Sequence, residues 1–411
     1  MKKLALVVLV GALAVSFTAC STTPGDPGSD EQVTITYSNF ISNDVAEENL
    51  ATIVAAFEEK NPGIKIAVKT LPYSDYFTAL QTDIAAGTVA DVFDIEYANY
   101  ATYQANGVLA PLNGVDTAAY QKSLVEAYAT GGVPYALPSS FSTVVLFYNK
   151  DLFDKAGLGY PTRDWTWEDE MAAAKTLSDP SAGVWGSYQP ISYHEYYKSV
   201  AQAGGQFLKN GTCGLDSDAG IAAATWLTQK SGTVMPTAAQ GAGTPDFDVD
   251  LFVDGKLAMW HTGIWNFGRV HDVSFAWDIQ VEPGDTQQAS AMFSNAIAVS
   301  ATSKNQEAAA KWVQFMTGSD TMVDVRLKAG WELPPIADRS KLQPYLTAGA
   351  PANRQAVFDS LESVALAPAI GENQAKMEDE VTNTLTEIAA GRLKVETAIP
   401  ALAQKIDALL K

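Results

Sequence analysis

The sequence predicts an α/β protein built as two lobes. Two runs of alternating strand and helix patterns predict it, one from Val33 to Ile95 and one from Ser142 onward. At 411 residues the chain is also long enough for two separate cores. Val33, Ile35 and Tyr37 alternate with threonines as a first strand. Leu50, Ile53, Val54 and Phe57 recur at helical spacing, and Asn61-Pro62-Gly63 ends that helix. Ile64, Ile66 and Val68 alternate again, which completes a strand–helix–strand unit of an open sheet. A helix near Tyr76–Ala86 and an apolar strand over Asp91–Ile95 continue it. The second centre is the apolar strand Ser142–Tyr148, with helices expected around Trp167–Leu177, Tyr197–Ala203, Ala219–Gln229 and Asp248–Val253. Ala296–Val299 reads as another strand, and Ala309, Trp312, Val313 and Met316 as one face of a helix. Met377, Val381, Leu385 and Ile388 line a further helix, and Leu402, Ile406, Leu409 and Leu410 a last one.

Composition narrows the function classes. Hydrophobic residues make up 47% of the chain and charged ones 18%, an ordinary globular balance. The formal charge of −20 excludes a nucleic-acid binder, which needs a basic footprint, and adhesion to anionic lipid through the protein surface. Lys2 and Lys3 precede an apolar run from Leu4 to Val15, the pattern of an export signal. The run is shorter than the roughly 20 residues that span a bilayer. Ser16-Phe17-Thr18-Ala19-Cys20 resembles a bacterial lipobox, which implies a signal peptide over residues 1–19 and lipidation of Cys20. Residues 20–31 then form a flexible tether rich in Ser, Thr, Pro, Gly and Asp. Cys213 is the only other cysteine, so an acylated Cys20 leaves no intramolecular disulfide.

Several segments in order resemble the extracellular solute-binding protein family 1, the family of maltose-binding protein. They begin with Phe57-Glu58-Glu59-Lys60-Asn61-Pro62-Gly63-Ile64 and Ala86-Gly87-Thr88-Val89-Ala90-Asp91-Val92-Phe93. The most specific is Pro134-Tyr135-Ala136-Leu137-Pro138 leading to Leu146-Phe147-Tyr148-Asn149-Lys150-Asp151-Leu152-Phe153. Asp254-Gly255-Lys256-Leu257-Ala258-Met259, Gly263-Ile264-Trp265 and Ala296-Ile297-Ala298-Val299-Ser300 follow. The resemblance implies a two-lobed periplasmic-binding-protein fold of type II, each lobe a mixed sheet flanked by helices, with the ligand in the interlobe cleft. It places lobe one at 31–138 plus 296–335 and lobe two at 139–295 plus 336–411, with crossings near Leu137–Ser142, Ser294–Asn295 and Pro334–Arg339. It further implies an extracytoplasmic receptor of an ABC importer, monomeric, without cofactor or enzymatic activity. Such a receptor binds a carbohydrate, is held to the outer membrane face by its lipid alone, and delivers the ligand to the permease transmembrane subunits.

A sugar offers a flat C–H face and a rim of hydroxyls, which aromatic rings and planar amide or carboxylate groups recognise. Trp265 matches the stacking tryptophan of related receptors. Glu96 and Asn99 follow a strand end, and Asn39 ends the first strand, where ligands of open sheets gather. Ser140, Ser142 and Asn295 stand at crossings, Tyr193 and His194 in an aromatic stretch that the family uses, and Trp331 and Glu332 beside the last crossing. Trp185 and Trp260 read as core. The histidines lack zinc spacing, Asp246–Leu257 lacks the glycine and closing glutamate of a calcium loop, and no metal site is expected. Other readings are the same fold carrying a polyamine, a polyol phosphate or a metal chelate and, in another class, a secreted glycan-degrading enzyme. Acidic residues are plentiful, and none stands out as a glycosidase pair.

Overall fold

The computed structural model describes residues 32–41, 44–244, 246–329 and 332–410. The signal segment, Cys20, the tether and Trp331 lie outside the described residues.

β1 (Val33–Asn39), α1 (Asp44–Lys60) and β2 (Ile64–Thr70) form the expected unit, with β1 and β2 parallel from Val33↔Ile64 to Asn39↔Thr70. α2 (Tyr73–Ala86) stops at Gly87, whose φ of 70° suits a residue without a Cβ. β3 (Val92–Glu96) returns parallel to β1, and α3 (Tyr97–Ala105) starts on the next residue. α3 carries no side-chain cap, so nothing local marks its start in the sequence.

β4 (Ala136–Asn149) is buried at every position, and Asn149 accepts a hydrogen bond from the Leu152 N–H to cap α4 (Lys150–Ala156). A reciprocal Thr166–Asp169 box opens α5 (Trp167–Leu177), and Ser192 caps α6 (Tyr193–Gln202). α7 (Asp218–Thr228), α8 (Phe247–Val253), β5 (Met259–Gly263) and β6 (Trp277–Gln280) follow. β7 (Ser290–Val299) then leads to α9 (Gln306–Gly318), α10 (Asp320–Ala329), α11 (Gln374–Ala389) and α12 (Val395–Leu409).

A single mixed sheet runs through both halves, in the order β6-β4-β7-β3-β1-β2, with β5 also on β4 and the short strand Val364–Ala365 on β7. β4 pairs with β7 through its first part and with β5 and β6 through its second. β7 pairs antiparallel with β3 over Asn295–Val299. At 14 residues, β4 extends about 46 Å, enough to run through both halves. Its register with β7 slips where Asn295 faces Ser140 and Ala296 faces Pro138, so Ser139 is the extra residue of a bulge.

The expected lobe boundary at Pro335 is corrected. Ile336 bridges Tyr120, the Ala337 N–H donates to the Ala119 carbonyl, and Lys341 pairs with Asp320 at 2.5 Å. The chain thus stays on the first half beyond Pro335, held by backbone bonds that no residue pattern announces. It reaches the second half by Asn353, whose N–H donates to Asp278.

In the first half Trp312 of α9 meets Tyr37 and Phe57 edge to face, with centroids 5.5 and 5.2 Å apart. In the second, α11 and α12 cover α7 through Met377, Val381, Leu385, Leu402 and Ile406. Trp260 and Trp185 are core residues, as expected.

Candidate functional site between the two halves

A cavity of about 100 Å³ lies where the end of β3 and the start of α3 face α6 and the middle of β7. Tyr73, Glu96, Tyr97 and Ala98 form one wall, His194 and Tyr197 the other, and Met292, Phe293, Ser294 and Asn295 the floor, with Ala367 beside them. Glu96 ends β3, the position at which open sheets present side chains to ligands. Its carboxylate accepts from the Tyr73 hydroxyl at 2.7 Å. Burial pushes its pKa up against that bond, and Glu332 and Glu378 add to the push. None of the described residues lining the cavity is lysine or arginine.

α6 turns 100° per residue, so positions three apart share a face and adjacent ones do not. His194 and Tyr197 share the cleft face. Tyr193 points elsewhere and is corrected: it is 2% exposed, its hydroxyl donates to the Pro368 carbonyl at 2.9 Å, and its ring packs on Phe207. Burial holds the His194 pKa below the usual imidazole range despite Glu378 and Glu195, so the ring is neutral at pH 7. The Nδ1 of His194 and the hydroxyl of Tyr197 are buried without a hydrogen-bond partner in the protein. So are the Ser142 hydroxyl and the amide nitrogen of Asn39. Each such orphan costs about 1–3 kcal/mol, and buried polar groups are otherwise nearly always paired.

Asn39 is fully buried, its Oδ1 accepting from the Ile41 N–H and the Thr70 hydroxyl. Asn99 is half-buried on α3 and does not line the cavity. Ser140, Asn295 and Glu332 are drawn together: Ser140 donates to Glu332 at 2.5 Å, and the Asn295 amide donates to both. Trp265 is 44% exposed at the rim, its ring edge-on to Phe293 at 5.4 Å. A Cβ on Gly263 would come within 1.9 Å of that indole, so glycine there gives the ring its place. Sequence reasoning missed Tyr73, Tyr97, Tyr197 and Phe293. The three-residue spacing of His194 and Tyr197 was a signal for one of them, whereas Phe293 needed the register of β7.

A larger hollow of about 680 Å³ lies in the second half, lined among others by Tyr188, Met235, Phe247, Thr386 and Arg392. Its charged groups have protein partners: Asp246 with Arg269, Asp248 with the Trp260 indole, and Arg392 with Glu387. Size therefore favours this hollow, and unmet polar groups favour the cleft. An orphaned group marks a missing partner and a hollow does not, so the cleft is the candidate site.

Ligand atoms of Glu195, His261 and Glu282 lie within 4.8 Å of one another, close enough for a metal. The Lys198 ammonium stands among them, 2.5 Å from both carboxylates. Glu170 takes Lys230 at 2.8 Å and the His261 ring at 3.0 Å. Burial opposes a charged His261, but the Glu170 carboxylate and the bonds to Glu170 and Glu282 prevail and raise its pKa. Three carboxylates thus face Lys198, Lys230 and a His261 ring whose pKa is raised, so the charges of the cluster are compensated, although one oxygen each of Glu170 and Glu282 has no hydrogen-bond partner.

The family described as "Bacterial extracellular solute-binding protein" matches residues 43–323. The structure of the ABC substrate-binding protein Lmo0181 from Listeria monocytogenes, in complex with cycloalternan, superposes with a TM-score of 0.84 at 39% identity. That match covers 92% of this chain and 98% of the other. Maltodextrin-binding protein MdxE of Bacillus subtilis is 24% identical over 324 residues, 77% of this chain and 76% of its own. The arabinooligosaccharide-binding protein of the same organism is 25% identical over 341 residues, 78% and 77% of the two chains. With strands shared between two halves, a polar aromatic cleft between them and a match over most of its length, this chain belongs to the bacterial extracellular solute-binding protein family.

Proposed function

We propose that this protein is the receptor of an ABC importer, taking up an oligosaccharide between its halves and handing it to a membrane permease. The observation that carries the reading is the pair of unmet buried polar atoms, the His194 Nδ1 and the Tyr197 hydroxyl, on residues that line a cleft with aromatic walls. A polyhydroxylated ligand meets those groups while its C–H faces lie on Tyr97, Phe293 and Trp265. Maltodextrin, arabinooligosaccharide and cycloalternan, named with three relatives, are all of this class. Small-molecule sites measure about 300–1,000 Å³. The cleft holds about 100 Å³, so the halves part to admit a sugar and close on it.

The receptor acts by binding rather than by catalysis, works as a monomer, and is held outside the cell by an acylated Cys20. Cys20→Ala moves it from the membrane fraction to the soluble one if that anchor is real, and unchanged fractionation removes the anchor. The lack of lysine and arginine among the described residues of the cleft wall beside Glu96 favours one second reading, a polyamine. Native mass spectrometry of ligand released from the purified protein tests both, joined to thermal shifts with an oligosaccharide panel and with spermidine. An oligosaccharide whose affinity is insensitive to salt supports the first reading. A polyamine whose affinity collapses as salt rises replaces it.

A further inference from the structure

We propose that Glu332 is the positioning residue of this cleft: its carboxylate clasps the two shared strands at the bulge and fixes the amide of Asn295 for the ligand. β4 and β7 pass from one half to the other side by side, and their ladder is irregular only where Ser139 bulges opposite Asn295. A bulge leaves a residue unpaired and bends its strand, so this is the place at which the pair flexes. One carboxylate oxygen of Glu332 accepts from Ser140 of β4 at 2.5 Å and from Asn295 of β7 at 3.1 Å. The Asn295 amide also donates to the Ser140 hydroxyl at 3.3 Å, which closes a ring of three side chains across the bulge.

Glu332 is anchored from the first half. The buried Arg326 guanidinium of α10 interacts electrostatically with it, with Tyr37 and with Asp94. The next residue, Leu333, accepts a backbone bond from the Phe141 N–H at 3.0 Å. Because a carboxylate only accepts, it dictates which way the Asn295 amide turns: the nitrogen faces Glu332 and Ser140. Asn295 lines the cleft, so its carbonyl is the group it offers a ligand hydroxyl. The clasp thus links the angle between the halves to the orientation of a wall residue. Its bearing on ligand rests on the receptor reading, while its bearing on the halves does not.

The test needs no sugar. Spin labels at Thr78→Cys on α2 and Lys376→Cys on α11, both exposed, report the distance across the cleft in the full chain carrying Cys20→Ala. Cys213 is buried with its thiol pushed up to about 11, so it stays unlabelled. Glu332→Ala is expected to broaden the distance distribution and shift it to longer values, with the melting temperature within a few degrees of the parent. Glu332→Gln keeps an acceptor oxygen of the same reach and is expected to restore most of the parent distribution. Should Glu332→Ala fail to fold, Ser140→Ala removes one limb of the clasp and is expected to broaden the distribution in the same sense. Distributions that superimpose on the parent overturn the clasp and leave the receptor reading standing. Loss of the receptor reading leaves this measurement untouched.

Discussion

α6 carries two polar surfaces one residue apart. His194 and Tyr197 face the cleft, while Glu195 and Lys198, displaced by 100° around the same helix, enter the charged cluster of the second half. In the cluster every charge has an opposite partner at 2.5–3.0 Å. On the cleft face the Nδ1 of His194 and the hydroxyl of Tyr197 have none. The first arrangement compensates its own charges, even though three of its groups have metal-like spacing and one oxygen each of Glu170 and Glu282 lacks a hydrogen-bond partner. The second is costly to the free protein, and under the proposed reading a ligand with hydroxyls removes the cost. Charge compensation, more than the kind of residue, separates the two polar surfaces of this helix.

The contrast breaks most visibly at Lys198. Lys198→Met leaves Glu195 and Glu282 buried without their cation, and removing one partner of such a pair costs about 3–5 kcal/mol. Urea denaturation should show that loss; a change below about 1 kcal/mol, the worth of an exposed pair, means the cluster is not closed as described. At the cleft the effect should fall on affinity instead. Trp265→Ala is expected to weaken binding of the released sugar by about 2 kcal/mol or more in calorimetry. Its melting temperature should stay near that of the parent, because the indole is already 44% exposed. Unfolding of that variant would make Trp265 a structural residue.

Tyr197→Phe sharpens the comparison by deleting one orphaned hydroxyl. Stability should hold or rise slightly, since a buried unpaired group is removed, while affinity falls by about 1 kcal/mol, the worth of one hydrogen bond. Lost stability with unchanged affinity would show that the hydroxyl serves the fold. The smallest effect is that of pH. The folded-state pKa of His261 lies above its unfolded value, so its contribution is complete below about pH 6.5 and fades as pH rises through the folded pKa. Glu170 and Glu282 are shifted downward, so theirs is present above the ordinary carboxylate range and lost on acidification. Melting temperatures should therefore pass through a maximum and decline on the alkaline side, and His261→Gln should flatten that decline. A decline of equal slope in the variant assigns it to other groups.

Much of the fold was legible because it is local. Periodicity places α1, α5, α7 and α11 from their apolar faces, and the Asn61-Pro62-Gly63 turn separates α1 from β2. Sequence could also offer Glu96 and His194 as site residues, the first by its place at a strand end and the second by its neighbours. It could not separate Tyr193 from Tyr197, because a shift of one register along a helix changes the face and the stretch is polar and aromatic throughout. Nor could it see that Ser140, Asn295 and Glu332 bond one another, since their side chains meet only when β4 and β7 pair with their bulge. Short-range pattern, in which apolar residues at period two or 3.6 must face a core, was enough to determine the α/β class and most elements. The tertiary structure alone decided which polar atoms were paired and which were left without a partner. Pairing depends on distances of about 3 Å between residues as far apart as Glu170 and His261, and no local pattern encodes those.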